Sequence, residues 1–434
     1  MTGYVLIGVM RSLFAYPRAS SSGPSPARGL AARSVATVGA VCLAALTLPS
    51  GALAAPAPTA SGAASGASGA GGIQSLPLQP LDDHTRAGGE PADPAVPEGT
   101  QGLPSTETDP FSMLGVIWTD ATAHLPGEVE VRTRAEATGA WSEWRDLDAN
   151  AAHAPDPGTA EAGGPGVRGG TVPLWVGPSD GVEVRVVPGG DTDTEGATSL
   201  PEGLRLELID PGESPEPPPG EEPPPTGEPR AAGEFEGPRP PITIRSGWGA
   251  DENLREDGFV YTDTVKTVFV HHTAGTNDYS CSEAPAIIRG IYKYHVESQG
   301  WRDIGYNFLV DKCGEIYEGR AGGVAEPVQG AHTLGFNHNS MGVSVLGTYS
   351  STAPNRDILD SLSLLTAWKL GLHGVDPEGS KNRTSSGGTY PEGTTIKLKN
   401  VSGHRDGYNT DCPGDELYGE LPGIRSLAAD LQGR

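Results

Sequence analysis

The chain has 434 residues, a formal net charge of -25, 62 glycines, 40 prolines and few aromatics. Such an acid excess repels polyanions, so nucleic acid is excluded as an electrostatic partner. Length alone suggests roughly two to three domains, and the glycine- and proline-heavy composition means that much of the chain lies outside any packed core.

Residues 1–54 read as a targeting segment. Arg28 and Arg33 precede a short apolar run from Val35 to Leu48, and Ala52-Leu53-Ala54 offers small residues for cleavage before Pro56. The run is shorter than the roughly 20 residues a membrane span requires. Cleavage leaves an exported chain with no stable span, secreted to the exterior or the cell wall. Residues 55–109, rich in Ala, Gly, Ser and Pro, are expected not to fold on their own.

Period-2 alternation then begins. Leu114, Val116 and Trp118 alternate through Gly115 and Ile117. Val129 and Val131, then Val182, Val184 and Val186, then Leu204, Leu206 and Leu208 alternate with charged residues. Such strands between Gly, Pro and Asp turns predict a small all-β, sandwich-like module over residues 110–210. Its tryptophans 118, 141, 144 and 175 suit either a sugar-binding face or the pinning of two sheets, and burial is the more economical reading. Residues 211–241 are Glu/Pro-rich and are expected to form an extended tether.

Strands mix with helices from residue 242 to 434, which predicts an α/β domain with a central mixed sheet flanked by helices. The apolar run Val265 to Val270 ends at His271 and His272, a buried strand that presents a side chain at its end. Successive residues of a strand face opposite sides, so only one of the two histidines reaches a given site. Ser282 is placed to cap a helix carrying Ile287, Ile288, Ile291 and His295, which Gly300 stops. A hairpin follows, Tyr306 to Val310 and Ile316 to Glu318, turning at Lys312-Cys313-Gly314. Met341 to Leu346 reads as another buried strand. Helices follow around Ile358, Leu362, Leu365 and Trp368, and around Ile424, Leu427 and Leu431.

Far downstream, Gly403-His404-Arg405-Asp406 precedes Thr410-Asp411-Cys412-Pro413-Gly414. His271, His404 and Cys412 form a borderline-soft donor set that suits zinc, with the fourth position left to water. With Cys42 removed by processing, Cys281, Cys313 and Cys412 remain and allow three single pairings. Cys412 is the natural leftover. It has a histidine nearby and sits ahead of a helix with Pro413 as an apt first residue, a position that favours thiolate. Cys281 and Cys313 then form a disulfide, three free thiols being the alternative; an oxidising exterior permits the bridge.

Seven landmarks carry a resemblance. They are Arg245-Ser-Gly-Trp248-Gly-Ala, Phe269-Val-His271-His272-Thr273, Gly300-Trp301-Arg-Asp303-Ile-Gly-Tyr306-Asn-Phe, Tyr317-Glu-Gly-Arg320, Gly330-Ala-His332-Thr, Asn339-Ser-Met-Gly-Val, and Gly403-His404-Arg through Cys412-Pro-Gly. In this order, from Ile242 to about Arg425, the chain resembles the peptidoglycan recognition proteins and the related type 2 N-acetylmuramoyl-L-alanine amidases. The resemblance implies a zinc amidase domain over 242–434 that hydrolyses the bond between N-acetylmuramic acid and L-alanine in peptidoglycan. It assigns the metal to His271, His404 and Cys412 and leaves His272 structural. Tyr306 takes the catalytic tyrosine's place, Thr410 a site-lining place, and His332 and Arg320 the substrate groove. A non-catalytic peptidoglycan-binding protein is the rival reading; retention of Cys412 and Tyr306 favours the enzyme. A structural zinc site is a third reading, for which no fourth protein ligand suggests itself. The chain departs from the family where Ala321-Gly322-Gly323 follows Arg320, and in an insertion over residues 374–396.

Overall fold

A computed structural model describes residues 71–81, 97–149, 153–189, 199–213 and 235–434. The expected targeting segment 1–54 lies outside them, as does most of the tether, residues 214–234.

An antiparallel sheet comes first. Its strands are β1 (Gly72–Pro77), β2 (Gln79–Pro80), β3 (Gln101–Trp118), β4 (Gly127–Ala135), β5 (Arg145–Leu147), β6 (Gly169–Gly170), β7 (Leu174–Pro188) and β8 (Arg205–Asp210). The main order is β1-β8-β3-β7-β4-β5, with β2 and β6 also on β3. The all-β class is as expected, but the module begins earlier than residue 110. β1, β2 and the first half of β3 fall in the stretch expected not to fold. Among the described residues β1 pairs only with β8, from Gly72↔Asp210 to Pro77↔Arg205. As an edge strand it has little to bury, and so carries no apolar alternation to read.

Strand β3 shows why both of its faces are apolar. Leu114, Val116 and Trp118 turn into the module's own core with Val129, Val131, Val184 and Leu206. The interleaved Met113 and Ile117 join a second core with Ile287, Ile288, Ile291 and Tyr294 of the α/β domain. Gly115 lies between them because a Cβ there would come within 2.6 Å of the Tyr294 ring. The Tyr294 hydroxyl donates to the carbonyls of Val116 (3.3 Å) and Thr171 (3.0 Å). Trp118 and Trp175 are buried, while Trp141 and Trp144 lie under the guanidinium of Arg132.

The C-terminal domain runs α1 (Arg245–Trp248), β9 (Thr267–His272), α2 (Ala284–Lys293), β10 (Phe308–Val310), β11 (Ile316–Glu318), β12 (Ser340–Val345), α3 (Arg356–Leu372), β13 (Ser380–Thr384), β14 (Thr395–Lys399), β15 (Val401–Gly403) and α4 (Asp415–Leu431). Its central sheet has the order β11-β10-β12-β9-β15; β10, β12, β9 and β15 are parallel and β11 is antiparallel. Val268 and Val270 of β9 pack with α3 and α4, around Leu362, Leu365, Leu417 and Leu421.

Three local expectations shift. The α2 region is entered at Ser280, whose backbone N–H donates to Glu283 at 2.7 Å, rather than capped by Ser282. α4 starts at Asp415, so Cys412 and Pro413 precede the helix instead of opening it. The described ends of the 211–241 segment are docked: Arg289 donates to the carbonyls of Pro211 and Gly212, and Phe235 lies under Arg434. The disulfide Cys281–Cys313 ties the entrance of α2 to the β10–β11 turn, with its Cα atoms 6.3 Å apart. The 374–396 insertion contributes the β13–β14 hairpin, which Arg383 anchors to Thr267 on β9 at 2.6 Å.

Candidate metal centre

Parallel pairing brings the distant donors together. Gly403 of β15 lies opposite Val270 of β9, so the next residues, His404 and His271, emerge side by side at the carboxyl ends of the strands. That end is where open α/β sheets place their sites. The two rings are 4.4 Å apart between centroids, and both residues are fully buried. Cys412 is buried beside them, its Sγ 3.8 Å from His271 Nδ1. A nitrogen and a sulfur on one tetrahedral zinc lie about 3.5 Å apart. His272 points to the opposite face, where its Nδ1 accepts the Tyr349 N–H at 3.2 Å. Its own backbone N–H points at Cys412 Sγ, 3.4 Å away.

The structure departs from the expected open fourth position. His153, from the long loop between β5 and β6, joins the group, and one donor atom each from His153, His271, His404 and Cys412 lie within 4.8 Å of one another. The His153 ring is 4.6 Å from that of His404 and 5.4 Å from that of His271. Its Nε2 is buried and has no hydrogen-bond partner among the described residues. Burial pushes His153 down to about 3 and His271 well below the usual range, which keeps both imidazoles in the neutral form that binds metals. Burial pushes the Cys412 thiol up, so its thiolate needs a cation at hand.

Behind the donors stands a polar relay. His271 Nε2 is 3.3 Å from His332 Nδ1, and His332 Nε2 is 3.4 Å from the Ser340 hydroxyl, which donates to the Phe336 carbonyl at 2.8 Å. This order is satisfied when His271 donates through Nε2, leaving Nδ1 for the site. His332, expected in the substrate groove, has no exposed surface here and stands behind His271. Gly342 makes room for it, since a Cβ there would come within 2.3 Å of the imidazole.

Tyr306 is buried with its ring 5.5 Å from His271 and 5.6 Å from His153. Burial pushes its phenol up, which keeps the O–H in place as a donor at neutral pH. The Thr410 hydroxyl accepts the Cys412 N–H at 3.2 Å and so shapes the turn that carries the thiol. Arg320 is not open to a ligand. Its Nη1 and Nη2 fork onto the Glu161 carboxylate at 2.9 and 2.8 Å, and its Nε donates to the Ile304 carbonyl at 2.8 Å.

Glu161 comes from the same loop as His153, as does Asp156. Asp156 Oδ1 accepts Gly335 N–H at 2.8 Å and Asn337 Nδ2 at 2.7 Å, while Asn337 Oδ1 accepts the His332 N–H at 2.7 Å. Sequence reading missed all three. The available signal was length: about twenty residues separate β5 from β6, far more than most connections in a compact β-module, and long connections often carry a function. Outside the loop lies a cleft of about 630 Å³, bordered by His124, His153 and Pro157 of the module and by Trp301, Thr389 and Tyr408 of the α/β domain.

Fold and site together define an α/β domain with a buried histidine–cysteine centre, joined to a β-module that completes its donor set. A family model described as N-acetylmuramoyl-L-alanine amidase matches residues 261–415, and one described as Rv3811 N-terminal galactose-binding domain-like matches residues 73–217. Peptidoglycan-recognition protein SC2 of Drosophila simulans is 34% identical over 182 residues, covering 42% of this chain and 84% of that protein. The N-acetylmuramoyl-L-alanine amidase of Homo sapiens is 31% identical over 187 residues, covering 41% of this chain and 27% of that protein. Among solved structures, wild-type Drosophila PGRP-LB is 26% identical with a TM-score of 0.33, covering 42% of this chain and 92% of that one. The chain belongs to the family of peptidoglycan-recognition proteins and N-acetylmuramoyl-L-alanine amidases.

Proposed function

We propose that the chain acts on peptidoglycan as an exported, zinc-dependent amidase that hydrolyses the bond between N-acetylmuramic acid and L-alanine. The observation that carries the reading is the convergence of His271, His404 and Cys412 beside the Tyr306 phenol at the carboxyl ends of β9 and β15. A buried metal-donor set flanked by a protonated phenol supports the enzyme over a protein that only binds wall fragments. Residues 242–434 are the catalytic domain in this reading, and residues 1–54 direct export. The Cys281–Cys313 disulfide suits an oxidising exterior.

His271, His404 and Cys412 would hold the zinc. A zinc ion held there would supply Lewis-acid polarisation of the scissile carbonyl and a lowered pKa for water. The protein's own groups do the rest. His332 and Ser340 fix the His271 ring, and the His272 N–H steadies the Cys412 sulfur. The Tyr306 O–H is available to the amide oxygen as negative charge develops on it, an interaction stronger in the transition state than in the ground state.

The test is release of stem peptides with new L-alanine amino termini from purified wall. It uses the zinc-loaded full chain, its His153→Ala variant, and Cys412→Ser in each background. Release that requires Cys412 supports the enzyme. No release from either parent chain, with wall binding retained, hands the site to the binding-only reading.

A further inference from the structure

We propose that the β-module holds the centre closed: His153 serves as a fourth protein donor and Glu161 occupies Arg320, so that substrate reaches the cluster only when the loop over residues 153–168 moves away. The inference deepens the amidase reading and rests on it for its enzymatic arm, while the closure itself rests on geometry.

Two anchors, Asp156 and Glu161, hold the loop at separate points on the α/β domain, and a bound metal would add a third at His153. His153 presents a buried, unpartnered Nε2 within the donor cluster. Asp156 binds the turn that carries Asn337, and through Asn337 the backbone of His332. Glu161 forks onto Arg320, with side-chain exposures of 10% and 4%. The loop returns through Arg168, whose N–H donates to the Gln299 carbonyl at 3.0 Å, into the Tyr294 contact at Thr171.

The space left beneath the loop shows what closure does. The void among His153, Thr171, Val172, His295 and Tyr306 is about 10 Å³, too small for an amide group. His153 also borders the large outer cleft, so this side chain lies between that cleft and the cluster. A centre with four protein donors has the closed character of a structural metal site, whereas a hydrolytic one keeps a position for water or substrate. Here the fourth donor sits on a different module from the other three, which makes it removable without dismantling the sheet that carries them. A ligand that displaces Glu161 from Arg320 has to bring an anionic group of its own, a carboxylate or another oxyanion.

The test uses the full chain loaded with cobalt(II) in place of zinc, with azide as the probe. Four protein donors leave azide nowhere to bind, so the wild-type visible spectrum should be unchanged by azide and that of His153→Ala should shift. On purified wall, zinc-loaded His153→Ala should release stem peptide roughly tenfold faster or more than wild type, because wild type is competent only in its open fraction. An azide response in wild type, or equal release rates from two active chains, overturns the proposal while leaving the amidase reading intact. The expected azide pattern with no release from either chain sustains closure and removes the amidase reading. Should His153→Ala fail to fold or to bind cobalt, Glu161→Gln decides, because it loosens the loop at its far anchor. A gained azide response supports closure, and continued indifference overturns it.

Discussion

Removing the Glu161 carboxylate tests whether the loop is docked in solution. Arg320 is almost wholly enclosed, with its guanidinium donating to Glu161 and to the carbonyls of Ile304, Gln329 and Asp303. The carbonyls cannot neutralise its charge. Burial alone would push Arg320 down, and the carboxylates of Glu161, chiefly, and Asp303 together more than restore it. The neighbouring Asp303 carboxylate is already engaged by Arg245 at 3.2 Å and by the Ala321 N–H at 2.9 Å. Glu161→Ala therefore leaves a buried cation without its partner, which typically costs about 3–5 kcal/mol. Release of the loop sets the ceiling, since an undocked loop lets water reach Arg320. Because Met113 and Ile117 share a core with α2, module and domain should unfold together, and urea denaturation of the full chain reads the loss directly. A double-mutant cycle with Arg320→Met should return a coupling of about 2 kcal/mol, since the double variant removes both charges. A Glu161→Ala midpoint within about 0.5 kcal/mol of wild type, with additive single variants, would refute the docked loop.

Reducing the Cys281–Cys313 bridge, or replacing both cysteines with serine, should lower stability by about 3–4 kcal/mol for a sequence separation of 32; coincident urea curves would contradict this. In the His153→Ala background, Tyr306→Phe should lower turnover on wall by roughly 10²–10³-fold with zinc content unchanged. Loss of zinc along with activity would instead make the phenol a structural prop. Lys369, buried on α3, donates to the Val324 and Glu326 carbonyls, and burial pushes it down to about 7 from an ordinary 10.5. Between those values the unfolded chain binds more protons than the folded one, so this residue's contribution rises with pH. Wild type should gain on Lys369→Met by about 2 kcal/mol between pH 7 and pH 9, read from urea midpoints at both pH values; a constant gap would show that the folded lysine stays charged.

What was legible in the sequence follows from which interactions are local. The strand into His271 announces itself because β9 is buried on both faces and therefore continuously apolar. The Cys281–Cys313 pairing follows only once Cys412 is set aside beside its histidine, since counting thiols leaves three pairings. Convergence of His404 with His271 is not local at all; the parallel β9–β15 register creates it, and the order of landmarks was the only trace of it in the chain. β1 escaped because an edge strand needs no apolar face. The docking of the module was half visible: Met113 and Ile117 are apolar where a solvent-facing side of β3 should be polar, and Gly115 is bare where Tyr294 approaches. Nothing in an isolated strand says what such a second face meets.

His153 is the sharpest case, because its meaning depends on the other module. Within the chain it is a lone histidine among alanines and prolines, the setting in which an ordinary loop residue is expected. A fourth donor rooted in the same sheet as His271 and His404 would make the centre permanently closed, and a structural role would follow. A donor on a separate module, held there by Asp156 and Glu161 rather than by strand pairing, turns the same coordination set into one with two states. The free energy separating those states is the docking energy of the loop, so the Glu161 cycle and the azide response have to move together. A loop weakened at Arg320 by a given amount should open the centre by the corresponding factor, about tenfold for each 1.4 kcal/mol. If stability at Glu161 falls while the cobalt centre stays closed, His153 is bound independently of the loop's other anchors, and the centre is structural after all.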